Sequence, residues 1–558
     1  MSITAAKVLV DTLVAHGIDR AFCVPGESYL AIMDSLHEDA VLDLVTCRHE
    51  GGAAWMALAD AKLTGRVGVV LASRGPGATN ASIAAHSAEQ GAFPLLLLLG
   101  QVGRAKIGKR ATQEMNFHKT FADMAKWVVQ VDVPERMGEI IARAIRIAES
   151  GTPGPVVVSL PTDVLGAPCT SGPIARRTAA VPRAAGSDTA LVAQALAEAA
   201  RPVMIVGGRV DSPAARRALL AVSEAWSVPV FPTYVHQDVF PNEHPNYGGE
   251  LGIRPPDTVA ASVLEADLIL AVGTRMGALA SVGERVPTAG QRVIHVYPDE
   301  NQIGVGFDVH AGIVSDAGAF LAALAERNAP EPSAARAAWL RRVHAGYTDF
   351  ASQLPRPAAD GVDFGHVIQA MKHTVPDDAV ITVDAGSFAS WLHLTYPFKP
   401  TQMLLGSECG AMGMSIPAAV AAAIRHPERQ VVAVVGDGGA LMSGYELATA
   451  VGRGVRNLRV IIANNNAYGT IRFHQETHFP GRPQATDLVN PDFAMLAAAF
   501  GARGFVIDRA EAAQEVLREA MAHPGVAVIE ARTSLENVDA KNTIAQLRAR
   551  VGEAPGMG

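Results

Sequence analysis

Gly436-Asp437-Gly438 closes one apolar run, VVAVV (431–435), and Asn464-Asn465 closes the next, LRVIIA (458–463). One carboxylate beside neutral amide oxygens, at the ends of two consecutive buried strands, suits a hard divalent ion such as Mg²⁺. Such an ion takes oxygen ligands and is normally completed by phosphate oxygens and water. The glycines let backbone N–H groups approach those phosphates, and the helix that follows turns its N-terminus toward the negative charge. The chemistry open to these residues is therefore to hold a divalent ion and a diphosphate. An Asp-Gly pair alone is also common in surface turns; the asparagine pair on the following strand separates the two readings.

Two further groupings carry candidate chemistry. Glu50 follows the apolar run VLDLV (41–45) and opens a helix of small residues, GGAAWMALADA (51–61). A carboxylate there can serve as a helix-dipole partner or as an acid–base group. Met412 lies in GAMGMSIPAA (410–419), which reads as a glycine-rich helix start with a core methionine.

The elements that must position these residues alternate between strand and helix. Residues 1–170 carry the strand runs VGVVLAS (67–73), PLLLLLG (94–100) and PVVVSLP (155–161). After a polar linker, residues 189–330 carry PVMIVGG (202–208), DLILAVG (267–273) and RVIHVYP (292–298). A helical connector between proline-rich loops spans 328–361, and residues 362–535 hold the metal–diphosphate motif. Continuous apolar runs separated by helices predict α/β architecture: three doubly wound, mainly parallel sheets with sites at the carboxyl ends of their strands. The tail, 536–558, ends in EAPGMG and is expected to be mobile. A chain of 558 residues with 49% hydrophobic and 18% charged residues has ample core for this.

Composition also excludes partners. A net charge of −8 and an aromatic share of 5% offer neither a basic stripe nor stacking platforms for nucleic acid. The four cysteines show no CxxC spacing, so neither a zinc site nor a disulfide framework is indicated. The N-terminus reads as an amphipathic helix without a leader pattern, and PLLLLLG is too short to cross a bilayer. A cytoplasmic chain with no membrane partner is expected.

The pairing of GDG with NN resembles the thiamine diphosphate signature. Together with FCVPGES (22–28), CRHEGGA (47–53), GPGATN (75–80), TQE (112–114), RPVMIVGG (201–208) and GAMG (410–413), it makes nearly the whole chain similar to thiamine diphosphate enzymes of the acetolactate synthase type. The resemblance implies a pyrimidine-binding domain, a Rossmann-like central domain and a diphosphate-binding domain, in that order. It makes Asp437, Asn465 and the Ala467 carbonyl the Mg²⁺ ligands, with Asn464 behind them. Glu50 becomes the glutamate that hydrogen-bonds the aminopyrimidine and promotes cofactor deprotonation. Met412 becomes the apolar wedge that bends the cofactor, a proximity effect, with Gly410 and Met412 backbone on the pyrimidine. Gly386, Ser387, Phe388, Gly438 and Gly439 fall at the diphosphate. Gln113 matches the active-site glutamine, and Ser28 stands beside the cofactor where the family has alanine. The family builds its site between two subunits, so a homodimer or homotetramer is implied, with Glu50 and Asp437 meeting across the interface.

The implied activity is decarboxylation of a 2-oxo acid donor followed by carbon–carbon bond formation with an aldehyde or ketone. Alternatives are a non-oxidative 2-oxo acid decarboxylase, a 2-hydroxy ketone lyase, or a silent cofactor-binding subunit. The sequence departs from the family in its central domain, where Arg275-Met276-Gly277-Ala278-Leu279 replaces the FAD-associated RFDDR and GELGIRPPD (249–257) replaces an MLGMHG-like segment. FAD is therefore not expected. Ser387-Phe388 replaces a Gln-His pair, Thr112 a phenylalanine, and His474 a tryptophan. No His-His dipeptide occurs, which leaves His86, His118, His474 and His478 as candidate pocket imidazoles, with His474 the best placed because it follows the cofactor site by a few residues.

Overall fold

The protein is described by a computed structural model that covers residues 3–37 and 41–553. Its core is three parallel sheets with helices between them. The first sheet has six strands in the spatial order 43–46, 20–23, 68–73, 95–101, 155–161, 127–130. The third has six in the order 403–406, 380–383, 431–436, 458–464, 527–532, 503–507. Counted along the chain, both read 2-1-3-4-6-5, so one topology occurs twice. The central sheet has five strands in the order 230–232, 202–206, 268–272, 292–297, 311–314.

The apolar runs are strands for a physical reason. Leu95–Gln101, Pro155–Pro161 and Val431–Gly436 are buried at every position, so both faces of each sheet are covered. In the first and third sheets the second strand leads into a helix, Glu50–Thr64 and Ser415–Arg425 respectively. Their alanines, among them Ala53, Ala54, Ala57, Ala418, Ala421 and Ala422, share one buried cluster, which lets the two backbones approach closely. Arg425 clamps this contact: Nε and Nη2 donate to the two Asp60 carboxylate oxygens at 2.9 and 2.9 Å, and Nη1 donates to Asp19 Oδ2 at 2.9 Å. Such forked pairs fix geometry as well as charge.

Three expectations change. The connector helix, Ala334–Ala351, packs Trp339, Val343 and Tyr347 into the central core, so it belongs to that domain's layers. The expected helix after Asp437 is broken: Asp437–Ser443, a tight turn Gly444–Glu446, then Leu447–Gly452. The tail is partly ordered. Helix Ile544–Glu553 lies against helix Gly469–His478, where Arg548 forks onto Glu476 at 2.6 and 2.7 Å. The end of that tail, 554–558, lies outside the described residues.

The central domain is anchored to the third. Val235, held at φ 57°, packs into the third-domain core. The Leu404 N–H donates to Asp238 at 3.1 Å, and His236 pairs with Glu408 at 2.7 Å. Among the described residues, no helix is long and apolar enough to cross a membrane.

Candidate active site

A cavity of about 270 Å³ opens at the carboxyl edge of the third sheet, where the strands hand over to helix N-termini. It gathers Gly386, Ser387, Phe388, Gly410, Met412, Asp437, Gly438, Asn465 and Ala467, nine residues singled out from sequence.

Asp437 ends strand Val431–Gly436 and begins the next helix. Its Oδ1 accepts the Gly438 N–H at 2.9 Å; its Oδ2 accepts Asn490 Nδ2 at 2.8 Å and the Ala467 N–H at 3.3 Å. Asn465 Oδ1 accepts the same Ala467 N–H at 3.1 Å. Burial holds the Asp437 carboxyl above the ordinary range, against the N–H bonds that pull it down. Among the described residues no cation pairs with it and no cluster of three or more His, Cys, Asp or Glu occurs. A buried carboxylate without countercharge, beside neutral oxygens, fits a hard divalent ion that takes its remaining ligands from phosphate and water.

The rest of the cavity fits a diphosphate. Helix Gly469–His478 starts at its wall with no side-chain cap, and Thr470 Oγ1 near that start is buried without a partner. Unfilled N–H groups and an orphaned hydroxyl are what an anion would satisfy. Gly438 must lack a side chain, because a Cβ would sit 2.6 Å from Tyr468 Cε1.

The loop that carries Met412 is held by Asp384, the residue after strand Val380–Val383. Its carboxylate accepts the N–H groups of Gly413, Met414 and Ser415 at 2.7, 2.9 and 3.3 Å. Burial pushes this carboxyl up to about 6 in spite of those bonds. Gly410 and Gly413 adopt φ 71° and 87°, which a side chain disfavours, and the loop sets the Met412 Cε within 3.4 Å of where a Gly438 Cβ would stand. Gly439 does not line the cavity; a Cβ there would meet Asp384 Oδ2 at 2.2 Å, so its role is close packing.

Four sequence candidates lie elsewhere. Glu50 is half-buried at the carboxyl edge of the first sheet, where Asn80 Nδ2 donates to it at 2.9 Å. The turn before it is gripped by Glu446 of the third domain, which accepts the N–H groups of Arg48 and His49 at 3.0 and 3.1 Å. Ser28 is buried on the same edge, its Oγ 2.8 Å from Ser73 Oγ. Gln113 is exposed at φ 66°, its carbonyl accepting the Gly75 N–H at 3.0 Å. His474 is exposed on its helix and does not line the cavity; it stacks on His478 with ring centroids 6.3 Å apart. Among the described residues, none from the first domain lines the cavity.

Sequence reasoning passed over Asp384, Asn490, Glu446, Asn80 and Thr470. Only Asp384 offered a signal, an aspartate closing an apolar strand as Asp437 does. The cavity also takes Tyr234, Glu250, Ile253 and Arg254 from the central domain.

Comparisons agree with this geometry. Three family models match: thiamine pyrophosphate enzyme, N-terminal TPP binding domain, at residues 3–120; the central domain at 189–324; and the C-terminal TPP binding domain at 384–531. The chain is 32% identical over 549 residues to the acetolactate synthase large subunit of Parasynechococcus marenigrum, covering 95% of this chain and 87% of that one. It is 31% identical to the Escherichia coli acetolactate synthase isozyme 1 large subunit, covering 96% and 94%. Among solved structures, the thiamine diphosphate-dependent 4-hydroxybenzoylformate decarboxylase of Rhodococcus jostii superposes with a TM-score of 0.82 at 24% identity, covering 95% of this chain and 99% of that one. At that identity the likeness bears on the fold alone.

Proposed function

Because the chain belongs to the thiamine pyrophosphate enzyme family, as an acetolactate synthase-like carboligase or decarboxylase, we propose that it is a Mg²⁺-dependent carboligase. It would decarboxylate a 2-oxo acid donor and join the remaining fragment to an aldehyde or ketone. The observation that carries this reading is the convergence of Asp437, Asn465, Ala467, Met412 and Ser387 on one cavity.

Bound thiamine diphosphate would supply the carbanion chemistry, and the protein supplies position and protons. Asp437, Asn465 and the Ala467 carbonyl would hold Mg²⁺. Thr470 and the N–H groups at the start of its helix would take diphosphate oxygens. Met412 would press an apolar side chain against the cofactor from the cavity wall. Glu50 would hold and release a proton at the pyrimidine ring. Since none of the described first-domain residues lines the cavity, we infer that Glu50 comes from a second copy, in a homodimer or a tetramer of such dimers. Gln113 and Ser28 would act from that second copy's edge, as a site built between two subunits implies, whereas His474 is exposed and does not line the cavity.

FAD is not part of this reading. The glycines at the carboxyl edge of the central sheet are occupied by the chain's own packing, since a Cβ on Gly208 would lie 2.7 Å from His236 and one on Gly207 2.8 Å from the Gly273 carbonyl. A cytoplasmic location accompanies the reading.

The test is CO₂ release and product analysis by mass spectrometry, with thiamine diphosphate, Mg²⁺ and a panel of 2-oxo acids with and without aldehydes. A coupled 2-hydroxy ketone is the expected product. Free aldehyde alone would make the enzyme a decarboxylase, and cleavage of 2-hydroxy ketones without ligation would make it a lyase.

A further inference from the structure

Three polar side chains at the central-domain end of the cavity have no role in the machinery above. Glu250, Tyr234 and His393 are 4%, 7% and 7% exposed, and all three line the cavity. Glu250 Oε1 has no hydrogen-bond partner among the described residues, and neither has His393 Nε2. Gln237 Nε2 lies 2.6 Å from His393 Nδ1; with the amide nitrogen donating there, the neutral imidazole carries its proton on Nε2. Tyr234 lies tilted against that ring, centroids 5.0 Å apart and planes at 52°. We propose that Glu250, Tyr234 and His393 form a subsite of uncharged hydrogen-bond donors that receives the carboxylate oxygens of the 2-oxo acid substrate. This rests on reading the cavity as the seat of such a substrate.

Burying a carboxyl without a partner is costly, and a fold that needed only packing would place an apolar side chain there. A Cβ on Gly252 would lie 1.9 Å from Glu250 Oε1, so the carboxyl fills space that a side chain there would claim. Burial alone pushes the Glu250 carboxyl up to about 8, and burial pushes His393 down to about 4. Burial, and then the charge of Glu250, raises Tyr234. At neutral pH all three are therefore uncharged, and each carries a proton it can donate.

The other charged or titratable groups near Glu250 are Tyr247, Arg254 and Asp384. Tyr247 is kept neutral by burial, Arg254 is paired with Asp539 at 3.1 Å, and Asp384 is held by three N–H groups. None supplies Glu250 with an acceptor. Donors without acceptors, in a low-dielectric wall, stabilise an incoming carboxylate as an oxyanion hole does, with no charge to desolvate. They would also serve a substrate whose carboxylate must later leave, since a fixed cation would hold it in the ground state.

The sign with pH follows. Above about 8 Glu250 ionises, loses its donor and repels the carboxylate, so substrate affinity should fall as pH rises through that value. Glu250→Gln keeps a donor and removes the titration.

The first measurement is infrared difference spectroscopy of the holoenzyme with thiamine diphosphate and Mg²⁺ and no substrate, wild type against E250Q. A protonated-carboxyl band present at neutral pH only in the wild type, and lost as pH passes about 8, is expected; no such band overturns the proposal. The second is calorimetric binding of pyruvate and of phenylglyoxylate to E50Q holoenzyme, with E250Q, E250L or H393F added. Affinity should fall at least about tenfold in E250L and H393F, the effect of losing roughly 1.4 kcal/mol. E250Q should bind as its parent does and lose the alkaline decline. Unchanged binding in E250L overturns the subsite alone. Failure of the E50Q parent to bind either acid overturns the ligand and the 2-oxo acid reading together, while the infrared band still reports whether the wall is protonated.

Discussion

The first and third sheets share one strand order, 2-1-3-4-6-5, yet their carboxyl edges are built for different work. In the third, the edge is a glycine-rich cradle whose carboxylate, Asp437, is 3% exposed and fixed by three hydrogen bonds. In the first, the acid is Glu50, half-buried, with one side-chain partner, Asn80. The topology sets where a ligand can sit, at the strand ends. The local donors then decide whether the carboxylate there holds a cation or moves a proton. A group that exchanges protons must not be over-determined by fixed N–H donors, and a metal ligand benefits from them. The two edges are also joined by their equivalent helices, so each sheet fixes the other.

Removing Glu50's charge should separate the two edges most sharply. Glu50→Gln is expected to lower kcat by about 10²- to 10⁴-fold, the range general acid–base groups contribute. Thiamine diphosphate binding, followed by intrinsic fluorescence, should stay within a few-fold of wild type. Unchanged turnover would end the acid–base assignment and leave Glu50 as a helix-dipole partner.

Asp437→Asn should do the reverse. Loss of a charged ligand worth about 1.5–3 kcal/mol predicts roughly 10- to 100-fold weaker cofactor binding. At saturating cofactor and Mg²⁺, kcat should recover most of its value. If E50Q and D437N gave the same pattern, the division of labour between the edges would collapse.

The next test breaks the joint rather than either edge. Arg425→Ala leaves Asp60 buried without its partner, a change worth about 3–5 kcal/mol for a fully buried pair, and less here because Asp19 is half exposed. Thermal unfolding at neutral pH should begin several degrees lower. Burial would raise the Asp19 carboxyl, but hydrogen bonding and charge from Arg425, with the charge of Arg66, bring it below its ordinary 3.8. A depressed carboxyl stabilises above its unfolded value and loses that contribution as pH falls through the folded value. The difference between R425A and wild type should therefore shrink below about pH 4. A pH-independent difference would assign the loss to packing around the arginine stem.

How far these edges could be read in the sequence depends on whether the signal is local. Strand Val431–Gly436 and Asp437 were legible because a buried parallel strand is a continuous apolar run and a charge at its end stands out. The three-sheet architecture followed from the same runs. The break at Gly444–Glu446 was hidden because Glu446 is turned by partners on another domain, Arg48 and His49. Glu250 carried no signal either, since GELGIR faces the cavity only after Val235 has docked the central domain. His474 lies near the cofactor motif in sequence, but on helix Gly469–His478 it is exposed and outside the cavity lining.

Asn490 is the finest test, because it touches only one edge. Its Nδ2 donates to Asp437 Oδ2 at 2.8 Å, to Asn464 Oδ1 at 2.9 Å and to Asn466 Oδ1 at 3.4 Å, tying the Asp437 carboxylate to the neighbouring strand. Asn464 in turn donates to the buried Glu530 at 2.8 Å, so Asn490 closes a chain across three strands. Asn490→Ala removes all three bonds, yet Asp437 keeps its N–H partners Gly438 and Ala467. A partner behind a metal ligand typically tunes affinity by about 10- to 100-fold at most, and the remaining donors place the expectation near the lower end. Mg²⁺ titration of the cofactor-bound protein should show weaker affinity with kcat at saturation nearly unchanged. A fall in kcat without a change in Mg²⁺ affinity would mean that Asn490 acts on the reacting groups, and that the two edges are less independent than their hydrogen bonds imply.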